Sequence, residues 1–200
     1  NVSKDFHIDS PFDKPDWLKP TTSLLGDTII RSVNNSVAVS STSLFAMGLL
    51  TDPTQTLNKE TLKNRISFYV DLIKNSESYK DVWLTEESAE EIIDRSEKLR
   101  FIKHQLIGSD EVYRPNAIEV AALSFYKNNI SHIFMLYSLI CESVRYVDEI
   151  SKDEMYKLIK MVYPIFSREY FLKSTNITKE EIDQALTTLL DKGVLDSKTQ

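Results

Sequence analysis

The sequence predicts a mainly α fold: a multi-helix domain with one small β-hairpin near residues 100–114. Three observations lead to this prediction. The 200 residues include only 4 Gly and 6 Pro, so residues that break helices are rare. Apolar residues recur at spacings of three and four, which is the period of an amphipathic helix. Several of these segments begin with a residue that caps helices, such as Asn58, Ser151 and Thr178.

The length and composition predict one soluble domain with an attached leading segment. Hydrophobic residues make up 42% of the chain and charged residues 27%, which is typical of a globular protein. Residues 1–20 contain Pro11, Pro15 and Pro20 and little periodicity, so we expect an extended linker there. Residues 21–200 are expected to form the helical domain.

Four helices are predicted in the first half of this domain. The first contains Leu24 to Val33 and ends near Asn34 and Asn35. The second is an apolar helix from Val37 to Leu50, stopped by the Asp52-Pro53 pair. Its small residues allow another helix to approach closely.

The next two helices are predicted from their caps. Asn58 caps the third, whose apolar stripe is Leu62, Ile66, Tyr69, Val70 and Ile73. Thr85 is expected to cap the fourth, with acidic residues in its first turn where the helix dipole favours them.

The pattern changes at Arg100. Two apolar runs, Phe101–Ile107 and Val112–Tyr113, flank Gly108-Ser109-Asp110 and predict a short β-hairpin that ends at Pro115.

The remainder predicts further helices. Asn116 to Val144 is expected to be helical, bent near Asn128 and Asn129. Ser151 with Glu154, and Thr178 with Glu181, form capping boxes that open two more helices. Pro164 is expected to kink the first of these, and Gly193 to stop the second.

Composition also excludes several classes of function. The net charge of −6 and the absence of a basic stripe argue against nucleic-acid binding. Cys141 is the only cysteine, so no intrachain disulfide can form, which favours a reducing, cytosolic setting. Four scattered glycines form no phosphate-binding loop, and three histidines with one cysteine show no metal-ligand spacing. We therefore expect no cofactor and no metal.

A mild basic cluster lies in the last quarter of the chain, beside several aromatic residues. It consists of Lys152, Lys157, Lys160, Arg168 and Lys173. The cluster is consistent with contact with an anionic membrane surface or a phosphate. The pattern favours the alternative that these long side chains cover the edge of the core.

The candidate site is a polar interruption in the most apolar part of the chain. Its residues are Tyr126, Lys127, Asn128, Asn129 and His132. On a helix, Asn128 and His132 share one face, and a buried amide or imidazole without a partner costs about 1–3 kcal/mol. We expect either a satisfied polar network in the core or a contact with a ligand or a catalytic domain.

This stretch, FYKNNISHIFMLYSLI, resembles the Tyr-Tyr-Arg-Asn-Asn-x-x-His segment of bacterial membrane-bound glycerol-3-phosphate acyltransferases. Three other segments resemble the same family in the same order: Lys14–Leu50, LNKETLKNRISFYVDLIKN and Val162–Leu172. The resemblance covers roughly Pro15 to Gly193 and places the chain in the post-catalytic, carboxy-terminal part of such an enzyme. Phe125 and Lys127 stand where the family has Tyr and Arg, and Lys lacks the planar fork of Arg.

The resemblance implies an activity but locates its machinery elsewhere. Such enzymes transfer an acyl group from acyl-CoA or acyl-carrier protein to the sn-1 hydroxyl of glycerol 3-phosphate, in phospholipid synthesis. Their catalytic His-x-x-x-x-Asp motif is absent, because Phe12, Ser109 and Tyr137 stand five residues beyond the three histidines. No residue of this chain is expected to be catalytic, and the chain alone is expected to be inactive.

The resemblance further implies the chain's partners and location. The partners are the upstream catalytic domain, through it acyl-CoA or acyl-carrier protein and glycerol 3-phosphate, and a membrane surface. The location is the cytoplasmic side of the inner membrane, as a peripheral protein. A related scaffold could instead serve dihydroxyacetone phosphate.

A second hypothesis is a non-enzymatic protein-interaction module. Gly193-Val194-Leu195 follows a capped helix, as at the helix-to-wing passage of winged-helix folds.

Overall fold

The computed structural model describes residues 14–79, 81–107, 110–145, 147 and 149–197. The chain is mainly helical, with short strands in two small sheets. The helices are α1 (Leu18–Asn35), α2 (Ser41–Leu50), α3 (Lys59–Lys74), α4 (Ala89–Lys98), α5 (Val120–Ser131), α6 (Met135–Arg145), α7 (Lys152–Glu169) and α8 (Lys179–Asp191). A 3₁₀ turn, His132–Phe134, joins α5 to α6. The predicted fold class is therefore confirmed.

The strands form two separate sheets. They are β1 (Ala38–Val39), β2 (Leu57–Asn58), β3 (Trp83–Leu84), β4 (Ile102–Ile107) and β5 (Asp110–Pro115). The predicted hairpin is β4–β5, and β2 adds a third antiparallel strand to it that the sequence did not predict. The tip of the hairpin, Gly108 and Ser109, lies outside the described residues.

Local caps set most helix starts. The side chain of Asn58 accepts from the Thr61 amide at 2.7 Å and opens α3, as predicted. The predicted capping boxes at Ser151 and Thr178 both form, each with a glutamate three residues on. These bonds join residues three apart, so the sequence alone is sufficient to predict them.

Two predicted helix starts are wrong, both because of strand pairing. Residues 38–39 are not helical, because β1 pairs in parallel with β3, with Val39 opposite Leu84. Helix α2 therefore begins after Ser40, whose side chain caps it. The fourth helix begins after Ser88 rather than Thr85, because the Thr85 amide donates to the carbonyl of Val39 at 3.0 Å.

Three predictions concern the extended linker up to Pro20, the kink at Pro164 and the bend near Asn128 and Asn129. Helix α1 begins at Leu18, within the predicted linker, and Pro20 is tolerated because the first-turn amides of a helix need no intrahelical acceptor. The division of the chain at residue 20 stays a prediction. Pro164 lies inside the continuous helix α7. Helix α5 is interrupted by the 3₁₀ turn at His132–Phe134, which begins three residues beyond Asn129.

Three helices end in the same backbone motif, in which two amides bond back into the last turn. After α8, Val194 donates to the Leu189 carbonyl at 2.9 Å, and Gly193 adopts φ = 66°, as its predicted role as a stop requires. The ends of α4 and α7 use Arg100 (φ = 61°) and Phe171 (φ = 49°) at the position that Gly193 occupies. That left-handed conformation favours glycine.

The core surrounds α2, against which α3, α4 and α5 pack, while α6 packs against α7 and α8. Its largest fully buried side chains include Phe45, Leu44, Leu62, Ile66 and Ile92. Within the described residues, none of the helices combines the length and apolar character that crossing a bilayer requires.

Candidate functional site

An open groove of about 930 Å³ lies between the C-terminal half of α1, helix α5 and the end of α7. All five residues predicted as the site line it: Tyr126, Lys127, Asn128, Asn129 and His132. Helix α1 contributes Ile30, Val33 and Asn34, and the end of α7 contributes Glu169, Tyr170 and Phe171. The structure therefore brings the predicted residues together, beside residues from α1 and α7 that were not predicted.

His132 is the buried member of the set, with 5% of its surface exposed. Its Nε2 lies 3.2 Å from the backbone oxygen of Asn34, the second-last residue of α1. The ring also packs edge-on against Tyr79, with centroids 5.9 Å apart. Burial lowers the pKa of His132, and hydrogen bonds to the backbone of Asn34 and Asn129 partly offset this. The neutral imidazole thus ties the junction between α5 and α6 to α1.

The expectation that Asn128 shares a buried face with His132 is wrong. Both Asn128 and Asn129 are exposed. Leu123 and Ile130 set the inward face of α5. Asn128 lies two residues before Ile130, which is about 200° around the helix and so on the outer side. His132 is buried because the chain tightens into the 3₁₀ turn there and enters the core.

Asn34 also lines the groove, although the sequence predicted it only as the end of the first helix. Its side-chain amide donates to the Tyr170 carbonyl at 2.8 Å, and its own carbonyl faces His132. Arg31, one turn earlier, donates to the carbonyl of Leu172. The Asn34-Asn35 pair in the sequence could have indicated this role. A side-chain amide at the end of one helix can donate to the free carbonyls at the end of another.

A second cavity, of about 380 Å³, lies on the other side of His132. Tyr79, Tyr163, Ser76 and Glu181 are among its lining residues. Burial raises the pKa of Tyr163 to about 12, with a contribution from the charge of Glu181, and burial also raises the pKa of Tyr79. Both phenols therefore stay protonated at neutral pH and keep the capacity to donate a hydrogen bond.

The described lining of the groove offers charged and hydrogen-bonding side chains, including the carboxylate of Glu169. Lys127 offers a positive charge, while Tyr126 and the two asparagines offer hydrogen-bonding groups. Its one histidine, among the described lining residues, is buried and held against a backbone carbonyl, so it is not placed to take a proton from a substrate. Across the described part of the chain, no three His, Cys, Asp or Glu side chains gather as a metal would require.

Comparison with known proteins identifies the family. The sequence model of the glycerol-3-phosphate acyltransferase C-terminal region matches residues 3–200. The glycerol-3-phosphate acyltransferase of Alteromonas mediterranea is 30% identical over 194 residues, which cover 94% of this chain and 23% of that protein. Those of Shewanella loihica and Shewanella amazonensis are each 27% identical and are covered over 23% and 21% of their lengths.

The chain thus spans about a quarter of the length of the curated relatives that it matches. The match runs over nearly the whole chain, including the two predicted capping boxes, α1 and the groove. The chain belongs to the glycerol-3-phosphate acyltransferase family, of which it represents the C-terminal region.

Proposed function

We propose that this chain is the supporting, non-catalytic part of an enzyme that acylates the sn-1 hydroxyl of glycerol 3-phosphate in phospholipid synthesis. The donor is acyl-CoA or acyl-carrier protein. The hydroxyl attacks the thioester carbonyl, the C–S bond breaks, and the thiol leaves with the proton that the hydroxyl gave up. The observation that carries the proposal is the family match over residues 3–200.

The geometry of the groove supports the non-catalytic role. An acyl transfer of this kind needs a base that can reach the hydroxyl proton. The side chain of His132 is buried, and its Nε2 already bonds to the backbone of α1, so it is not placed to reach that proton. The proposal therefore assigns the base, and the Asp that orients it, to a His-x-x-x-x-Asp motif in polypeptide preceding this chain.

The test has two arms. The 200-residue chain is assayed with glycerol 3-phosphate and labelled acyl-CoA or acyl-carrier protein, and no turnover is expected. The product of the coding sequence that continues upstream of Asn1 is assayed alongside, and sn-1 acylation is expected. Turnover by the 200-residue chain would overturn the non-catalytic role. Absence of turnover by the longer product, or a preference for dihydroxyacetone phosphate, would overturn the proposed activity.

We further propose that α7 meets an anionic membrane surface, as a peripheral attachment on the cytoplasmic side of the inner membrane. Met161 and Ile165 are 68% and 67% exposed, and they share a face with Lys157 and Arg168. Apolar side chains flanked by cations are the combination that an anionic lipid interface binds.

Sedimentation with vesicles tests this attachment. The chain should sediment with phosphatidylglycerol vesicles and less with phosphatidylcholine vesicles. Met161→Asp with Ile165→Asp should abolish sedimentation, whereas Leu99→Asp with Leu106→Asp, also exposed apolar positions, should not. Equal behaviour of the two double variants would contradict an attachment through α7.

A further inference from the structure

Helix α1 carries an apolar stripe that the described part of the chain leaves uncovered. None of its 18 residues is buried. Leu25, Ile29 and Val33 repeat every four residues and are 57%, 52% and 64% exposed. Exposed apolar side chains that line up in this way mark an interaction site more often than scattered single ones do.

Leu25 and Ile29 lie on the side of α1 away from its bonds to the domain, while Val33 borders the groove. Arg31 and Asn34 bond to carbonyls at the end of α7, which fixes the last two turns of α1. Arg31 is two residues from both Ile29 and Val33, so it lies about 200° around the helix from them.

The stripe continues into the groove described above. Val33 is both part of the stripe and part of the groove wall, and Phe125 on the opposite wall is 63% exposed. Exposed Asn128 and Asn129 lie beside them with free capacity for hydrogen bonds. We call Leu25, Ile29, Val33 and Phe125, with the groove between α1 and α5, the α1 face. An apolar centre with a polar rim is the composition of a protein–protein interface.

The chain lengths indicate what covers the α1 face. The matched family region is C-terminal and makes up about 23% of a relative, so the rest of such a protein precedes α1. Helix α1 is the first described element, so a preceding part such as the relatives have would be nearest to it in sequence. A partner in the same polypeptide docks at a high effective concentration and needs no extensive interface of its own.

A lipid surface fits the α1 face less well. The charged residues of α1 are Lys19, Asp27 and Arg31, and Arg31 is engaged with the Leu172 carbonyl. An interfacial helix that binds anionic lipid carries several basic residues on its polar face. On these grounds we propose that the α1 face docks onto the preceding part of the same polypeptide, which is the acyltransferase portion if the proposed function holds.

Cysteine labelling tests the proposal. Val33→Cys is placed in the 200-residue chain and in the longer product of the upstream-extended coding sequence, and maleimide labelling of the peptide is followed by mass spectrometry. We expect labelling to slow at least tenfold in the longer product. Leu106→Cys, on β4 and 68% exposed, is the matched control and should label equally in both. Equal labelling of Val33→Cys in the two proteins would overturn the proposal.

Other occupants give different outcomes. Protection that appears in the 200-residue chain and rises with its concentration would mean that a second copy covers the face. Protection of that chain only on addition of phosphatidylglycerol vesicles would mean that lipid covers it. Either result would overturn docking within the polypeptide.

A pair of double variants separates this proposal from the proposed activity. Ile29→Asp with Val33→Asp in the longer product should lower acyl transfer at least tenfold and make the junction before α1 sensitive to protease. Leu99→Asp with Leu106→Asp has matching exposures of 52% and 68% and should change neither. Both pairs should leave the unfolding temperature of the 200-residue chain nearly unchanged, which controls for folding.

The outcomes are distinguishable. Protection of Val33→Cys in a longer product that transfers no acyl group would contradict the proposed function but keep the docking. Full activity with an unprotected Val33→Cys would contradict the docking but keep the function.

Discussion

Helices α1 and α2 are neighbours in the chain and both rich in apolar residues, yet their surroundings are opposite. Seven of the ten residues of α2 are buried, and none of the 18 residues of α1 is. Helix α2 is enclosed by α3, α4 and α5, while the side-chain bonds of Arg31 and Asn34 hold α1 near its C-terminal end. Apolar content therefore does not distinguish a core helix from a docking helix. The distribution of apolar residues around the helix distinguishes the two kinds. Helix α2 is apolar on all sides, whereas α1 keeps a polar side.

The largest expected effect lies in α2. Phe45 is fully buried, so Phe45→Ala should lower the free energy of unfolding by about 3–5 kcal/mol through lost burial and a residual cavity. Urea denaturation of the 200-residue chain measures this. A loss below about 1 kcal/mol would mean that α2 is not the centre of the core.

Replacing the glycine of each helix by leucine should change the stability in opposite directions. A Cβ on Gly48 would lie 3.1 Å from Ile66 Cγ1 and 3.2 Å from Leu62 Cδ1, so Gly48→Leu should destabilise the fold by about 1–3 kcal/mol. A Cβ on Gly26 of α1 meets nothing within 4 Å. Gly26→Leu should therefore stabilise by up to about 1 kcal/mol through helix propensity alone. Thermal unfolding of both variants checks the pair, and the same sign for both would break the comparison.

The bond between His132 and α1 should appear as a pH dependence. Burial lowers the pKa of His132 below its usual 6.5, so as the pH falls through that value the unfolded chain takes up a proton that the folded chain does not. Stability should therefore fall from pH 7.5 to pH 5.5, by at most about 1.4 kcal/mol per pH unit. His132→Gln should remove this fall, measured as the difference in unfolding free energy between the two pH values. His104→Gln, on β4, should keep it, and a fall that survives His132→Gln would contradict the assignment.

The smallest expected effect belongs to the α1 stripe. Ile29→Ala removes a side chain that is 52% exposed and should change the free energy of unfolding by less than about 0.5 kcal/mol. The same urea experiment as for Phe45→Ala measures it. A loss of 2 kcal/mol or more would show that α1 packs within this domain in solution.

The sequence was sufficient where the decisive bonds are local. Asn58, Ser151 and Thr178 each bond to an amide three residues on, and the helix starts they predict are confirmed. The sequence was insufficient where a helix start depends on pairing with a strand that is remote in the chain. Val39 pairs with Leu84, 45 positions away in the chain, and nothing near Val39 shows that its partner exists.

Five residues of the candidate groove were predicted from the sequence, but their burial and the residues around them were not. The five polar residues do line one groove, because they are close in sequence around the end of α5. Their burial depended on where α5 gives way to the 3₁₀ turn, and that point follows from packing against Asn34 and Tyr79, which are remote in sequence. Hence His132 is inside, and Asn128 is not.

The left-handed backbone of Phe171 has an evolutionary consequence. A glycine at that position would relieve roughly 1 kcal/mol of conformational cost, as Gly193 does at the end of α8. An aromatic residue in the groove wall is therefore kept although glycine would be conformationally more favourable at this position. Across the lineages of this family, we expect position 171 to alternate between glycine or asparagine and an aromatic residue. The aromatic should be found where the helix equivalent to α1 has kept its apolar stripe, so that both are inherited or lost together.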